Sequence, residues 1–345
     1  MAKNKKTLLF FLWITFLIPL GSKANIAMPG FWSIGGSTGF VPIFLEDSLY
    51  LDKIQMQREE VHILLYKGFA VVKGQYYLKS LSDQNIRLKV GYPINSTFQD
   101  KNVYSVHFTD IYALQVFNDG LPQKAEKMVE GHSEVFKDVG VLESPENWYV
   151  WESEFKAGET HQITVYFIVN TNSGALLQGY SSDSNNGFTY LLESGKVWAK
   201  TIEQGSIHVH FMDQLNPKDI LGIAPLKGFR LDKKNQRLFY EFTHLEPEPQ
   251  NNILIRYGYR NEKFKIEPIV KKAEFYFRQI DERQKAPLDK KNLLPFEASD
   301  FEVHDWKGTL GFTLAMFVMV FGLPTLVILA GIVALVAYIR RYKKH

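Results

Sequence analysis

From about residue 25 to residue 277, apolar positions alternate with polar ones or gather in short runs of Val, Ile, Tyr, Phe and Trp, broken by Gly, Asn, Asp and Pro. Successive side chains of a strand face opposite ways, so a period of two predicts β structure. The runs place strands at 61–72, 75–81, 86–92, 103–108, 112–117, 148–155, 162–169, 188–192, 206–212, 237–242 and 253–259. This number of strands suits packed sheets and predicts a mainly β, β-sandwich-like domain, built as one large unit or two lobes. Lys73-Gly74, Asp119-Gly120 and Ser194-Gly195 fall between runs, where hairpin turns need residues that tolerate positive φ. One segment departs from the period: Ala125, Met128, Val129, Val135 and Phe136 recur at helical spacing, predicting an amphipathic helix over 123–137.

The two ends carry different patterns. Lys3, Lys5 and Lys6 precede an uncharged apolar run over 7–20, and Ser22-Lys23-Ala24 supplies small residues at peptidase-readable positions. This is the layout of a signal peptide cleaved after Ala24, since 14 apolar residues fall short of the ~20 a membrane span needs. Residues 308–339 contain no charge and are dense in Leu, Val, Phe, Met and Ala, predicting one transmembrane helix with Pro324 near its middle. Arg340 and Arg341, with Lys343 and Lys344, follow the run, while Asp300, Glu302 and Asp305 precede it. The positive-inside rule then leaves a short cytoplasmic tail and a large periplasmic or extracellular domain, with Trp306 at the outer interface. The resulting division is a leader at 1–24, a β-rich lobe at 25–120, a helical or loop connection at 121–146 and a second β-rich lobe at 147–280. A polar stalk at 281–307, the membrane helix at 308–339 and a basic tail at 340–345 complete it.

Charge refines this picture. The chain carries 40 basic and 37 acidic side chains. Removing the four basic residues in 1–24 and the four in 308–345 leaves 32 against 37, a net −5 for the exported part. The basic excess therefore belongs to the targeting segments, which argues against a nucleic-acid partner. The absence of cysteine excludes disulfide scaffolds, thiol catalysis, iron–sulfur clusters and a lipid-bearing cysteine.

Several residue groups could carry chemistry. Gly35-Gly36-Ser37-Thr38-Gly39 matches a nucleophile-elbow string, but no hydrolase sheet can precede it and no helix follows. Glu152 and Glu154 share one face of a strand, about 7 Å apart by strand rise, where catalytic carboxylates more often face each other across a cleft. His208 and His210 share a strand face at a spacing that holds a metal ion once a third ligand arrives from elsewhere; nothing near them in sequence supplies it. Of the clustered aromatics, Trp148, Trp151 and Trp198 are candidates for a ligand platform, with Trp148 and Trp151 on opposite sides of their strand. Asn95-Ser96-Thr97 is a glycosylation sequon, idle in the bacterial envelope that a cysteine-free exported chain suggests.

Residues 148–198, with Phe155, Gly158-Glu159-Thr160, Tyr190-Leu191 and Ser194-Gly195 in fixed phrasing, resemble exported bacterial β-rich proteins in general style, and no residue role follows. The reading from sequence is a single-pass, membrane-anchored exported protein, a non-enzymatic binding or assembly module contacting envelope protein or glycan, with no cofactor expected. The alternatives are an accessory subunit of a membrane complex and an envelope hydrolase acting on glycan or peptide.

Overall fold

The computed structural model describes residues 27–298 apart from 28, 33–39, 43, 51, 96–104, 129–146, 179–180 and 183–184, together with 318, 331, 332, 334 and 336. The chain is mainly β. The principal strands are β1 (Ile54–Tyr66), β2 (Phe69–Ser80), β3 (Ile86–Pro93), β4 (Ile111–Asn118), β5 (Leu121–Gln123), β6 (Trp148–Phe155) and β7 (Thr160–Val169). They continue as β8 (Asn185–Tyr190), β9 (Ile202–Phe211), β10 (Ile220–Ala224), β11 (Arg230–Asp232), β12 (Arg237–Leu245), β13 (Ile253–Tyr259) and β14 (Leu294–Pro295). A short helix, α1 (Glu267–Val270), and a three-turn helix, α2 (Ala273–Gln284), lie between β13 and β14.

A nine-stranded sheet in the order β14-β11-β12-β9-β1-β2-β7-β4-β5 is the frame. All its pairings are antiparallel except β9 with β1, which run parallel and bring His208 level with His62. Three-stranded sheets, including β8-β13-β10 and β3-β6 with Glu126–Lys127, accompany it. The large sheet mixes strands from both expected lobes: β1 and β2 lie between β9 and β7. One apolar cluster runs from Ala27 to Tyr257 and draws on both, so the 121–146 division separates neither sheets nor cores.

Burial on both sides explains the turn that the pattern misplaces. The run over 61–72 is nearly all buried, which erases the period of two, and the turn falls at Lys67-Gly68, with Gly68 at φ +100°. Gly74 sits inside β2 instead, where a Cβ would lie 2.1 Å from the Tyr76 hydroxyl. Asp119-Gly120 does turn β4 into β5, both residues having positive φ. Ser194-Gly195 is buried in a 3₁₀ turn (Leu192–Val197), not at a hairpin.

Two further expectations are corrected. Gln123 ends β5 and Glu126–Lys127 pairs with Tyr149-Val150, so the start of the expected 123–137 helix is strand; 129–146 lie outside the described residues. The described part of the 281–307 stalk is docked. Asp281 and Gln284 belong to α2, β14 extends the large sheet beside β11, and the Ala286 and Pro287 carbonyls accept hydrogen bonds from Arg237. Arg237 is almost fully buried, so its guanidinium needs these carbonyls and Asp232, 3.0 Å from its Nε, to replace water.

No helix among the described residues is long and apolar enough to cross a membrane. Gly331, Ile332, Ala334 and Val336 are helical, with Ile332 and Val336 exposed. Residues 1–24, Trp306, Pro324, Arg340 and Arg341 lie outside the described residues, as does the 35–39 glycine string.

Candidate functional site

Alternation along β1 and β9 sends Val61, Ile63, Leu65, Ile207 and Val209 into the main core. The intervening residues Glu60, His62, His208 and His210 occupy the other face. There Leu64, Tyr66, Phe69, Val71, Ile168 and Met212 form a second apolar cluster closed by α2 through Ala273, Phe277 and Ile280. Their spacing of four and three makes one helical stripe. The histidines lie beside this cluster, near the C-terminal end of α2.

The parallel pairing brings two donors from β1, Glu60 and His62, to His208, and the metal-ligating group they form does not include His210. His62 and His208 are stacked, ring centroids 4.3 Å apart and planes 5° from parallel. His210 Nε2 lies 3.1 Å from His62 Nδ1, and His62 Nε2 lies 3.1 Å from Glu60 Oε1. One ligating atom from each of Glu60, His62 and His208 falls within 4.8 Å of the others. Gln284 of α2 donates to Glu60 Oε1 at 3.2 Å. Lys73 from β2 donates to Asp281 at 2.7 Å and Gln284 at 2.6 Å, and Tyr166 donates to the same Asp281 oxygen at 2.9 Å. The carboxylate, amides and ammonium are thereby fixed between sheet and helix.

Electrostatics keep the imidazoles neutral. Burial drives His62 below its ordinary value, His208 down to about 3 and His210 down to about 2. The hydrogen bond from His62 holds the Glu60 carboxyl down to about 2. With Glu60 ionised, His62 donates through Nε2 and accepts at Nδ1 from His210. His208 Nδ1 and His210 Nδ1 are buried without a hydrogen-bond partner. Neutral imidazoles beside a carboxylate form the ligand set of borderline divalent transition metals, whereas Mg²⁺ and Ca²⁺ favour all-oxygen sites.

Elsewhere the sequence candidates disperse. Trp148, Trp151 and Trp198 are each 3% exposed, so none offers a ring to a surface ligand; opposite faces of β6 are both covered. Glu152 and Glu154 do share a face, but it is exposed, and Arg87 across the β3–β6 pair meets both at 3.5 and 3.3 Å. Asn95 is engaged with its own fold, exchanging hydrogen bonds with the Phe108 backbone at 2.9 and 2.6 Å. His62 and Glu60 were hidden from local reading because one histidine in an apolar run reads as core. Only the parallel β1–β9 pairing brings them to His208.

A second polar cluster sits on the opposite face of β1. Glu59 is wholly buried and accepts from Tyr190 at 2.5 Å, and the Tyr190 and Tyr76 hydroxyls are 2.8 Å apart. Desolvation raises the Tyr76, Tyr92 and Tyr190 phenols, so they remain neutral donors.

No protein-family model matches the chain, and no curated protein does. Solved structures show likeness at low identity. A Legionella pneumophila protein provisionally described as nutrient-binding aligns at 12% identity and TM-score 0.41, covering 79% of this chain and 81% of its own. An M1 zinc metallopeptidase from Deinococcus radiodurans aligns at 10% and 0.32, over 60% of this chain and 42% of its own. Leukotriene A4 hydrolase from Saccharomyces cerevisiae aligns at 9% and 0.30, over 59% of this chain and 29% of its own. At these scores no functional assignment follows.

Proposed function

We propose that the chain is an exported binding or assembly module of a bacterial envelope, held at the membrane by the apolar run 308–339, with its β domain outside the cytoplasm. The observation that carries this reading is where the chemistry-bearing residues go. Those that converge, Glu60, His62 and His208, are ligating and accepting groups. The carboxylate pair offered for hydrolysis instead turns outward onto Arg87. The net −5 of the exported part and the exposed apolar side chains of Ile332 and Val336 support the same division between a working domain and an anchor.

Crosslinked affinity purification from native membranes tests it, comparing the full chain with a form ending at Trp306. Recovery of the same specific partner by both forms is the expected result. A partner lost with the anchor would replace this reading by that of an accessory membrane subunit. Turnover of a glycan or peptide that depends on ectodomain carboxylates or histidines would overturn it in favour of an enzyme.

A further inference from the structure

We propose that Glu60, His62 and His208 form a binding site for one divalent transition metal ion of the zinc, cobalt, nickel or copper type, roofed by the C-terminal end of α2. The geometry of the β1–β9 pair carries it. The ligating atoms already lie within 4.8 Å of one another. To complete bonds of about 2.0–2.2 Å, Glu60, with 27% of its side chain exposed at the edge, swings inward, and the stacked His62 and His208 rings turn out of their parallel planes until both lone pairs meet one ion. The parallel β1–β9 register sets His62 level with His208, so that β1 supplies two of the three ligands and β9 one.

The buried nitrogens without partners fit the same assignment. His208 Nδ1 is buried without a hydrogen bond, so coordination at that nitrogen would break none. Coordination through His62 Nε2 moves the proton of that ring to Nδ1, which then donates to His210 Nε2. The His210 proton shifts in turn to its Nδ1, the atom now without a partner. Both rings stay neutral and no proton is lost. His210 thereby acts as the positioning residue that fixes the ring of a metal-ligating histidine. A fourth position remains for water or a donor from a partner.

The roof links the site to the rest of the chain. Gln284 occupies Glu60 Oε1, so metal entry exchanges that hydrogen bond for a metal bond at the end of α2. The segment following α2 is the one docked through Ala286, Pro287 and β14 on its way toward 308–339.

The test uses full-length protein in detergent, purified without a polyhistidine tag and stripped with a chelator. Co²⁺ is titrated while visible d–d absorption is followed, and Zn²⁺ affinity is measured against a chromophoric chelator. The expected result is one ion per chain with an intense low-symmetry cobalt spectrum. Glu60→Gln and His208→Gln should each weaken binding about tenfold or more, while exposed His244→Asn leaves it unchanged. Circular dichroism confirms that the variants fold. Absence of stoichiometric binding by the wild-type chain, or variants that bind as it does, would overturn the site. Because the probe is the metal alone, this outcome is read separately from partner capture.

Discussion

Glu59 and Glu60 are neighbours in sequence and occupy opposite faces of β1. Glu59 lies in the main core, fully enclosed and accepting from the Tyr190 phenol, which burial keeps protonated. Glu60 lies at the margin of the α2 cluster, with a histidine and an amide both on its Oε1 and part of its surface in water. The buried carboxylate accepts from Tyr190, whose hydroxyl meets that of Tyr76, so it ties β1 to β8 and, through that pair, to β2. The imidazole-lined carboxylate has neighbours with unspent lone pairs. A strand thus keeps a structural charge on one side and a ligating one on the other, and what distinguishes them is the chemistry of the partners, not the depth of burial alone.

The largest expected effect would break the polar face at its edge. Arg237→Ala removes the buried guanidinium that joins Asp232 to the Ala286 and Pro287 carbonyls. It should cost about 3–5 kcal/mol in chemical denaturation. A loss under about 1 kcal/mol would mean that the 285–298 segment is not held as described. On the apolar face, a Cβ at Gly205 would lie 1.9 Å from the Phe242 ring, so Gly205→Ala should cost about 1–3 kcal/mol, with the same value at pH 5 and pH 7.

The two faces should also differ in their response to acid. Unfolded histidines titrate near about 6.5. His208, at about 3, and His210, at about 2, therefore bind fewer protons in the folded state throughout the window below 6.5. Stability should fall as pH drops from about 6.5, by up to about 1.4 kcal/mol per pH unit for each histidine. Glu60, depressed to about 2, adds to the loss as pH falls below its ordinary value of 4.5. Denaturation midpoints across this range check the slope, and a flat profile would show that the imidazoles are accessible or charged. The smallest effect belongs to His208→Leu at neutral pH, a change within about 1 kcal/mol, because it removes a buried nitrogen that has no partner. The same variant should remove one histidine's share of the acid slope.

Much of the β structure was legible as short apolar runs bounded by polar and turn residues. β6 and β13 run over the residues that the pattern assigns, and Asp119-Gly120 turns where expected. Alternation fails in the middle of the large sheet. With both faces of 61–72 buried, nothing local distinguishes Lys67-Gly68 from Lys73-Gly74, and the Tyr76 hydroxyl decides against a turn at the second. α2 was missed for a related reason. Phe275-Tyr276-Phe277 resembles a strand run, while the stripe that packs is Ala273, Phe277 and Ile280. Half of the candidate site was visible as His208-x-His210. The other half required a parallel pairing between residues nearly 150 positions apart, which no local pattern carries.

The metal-ion site proposed on one face of the β1–β9 pair makes a crystallographic prediction. Crystals of the full-length protein grown with Zn²⁺, with diffraction recorded on either side of the zinc absorption edge, test it most directly. An anomalous peak bonded to Glu60, His62 and His208 is expected, with Gln284 displaced from Glu60 Oε1. Ordered side chains at this position with no anomalous peak, under conditions where zinc is bound elsewhere or not at all, would contradict it.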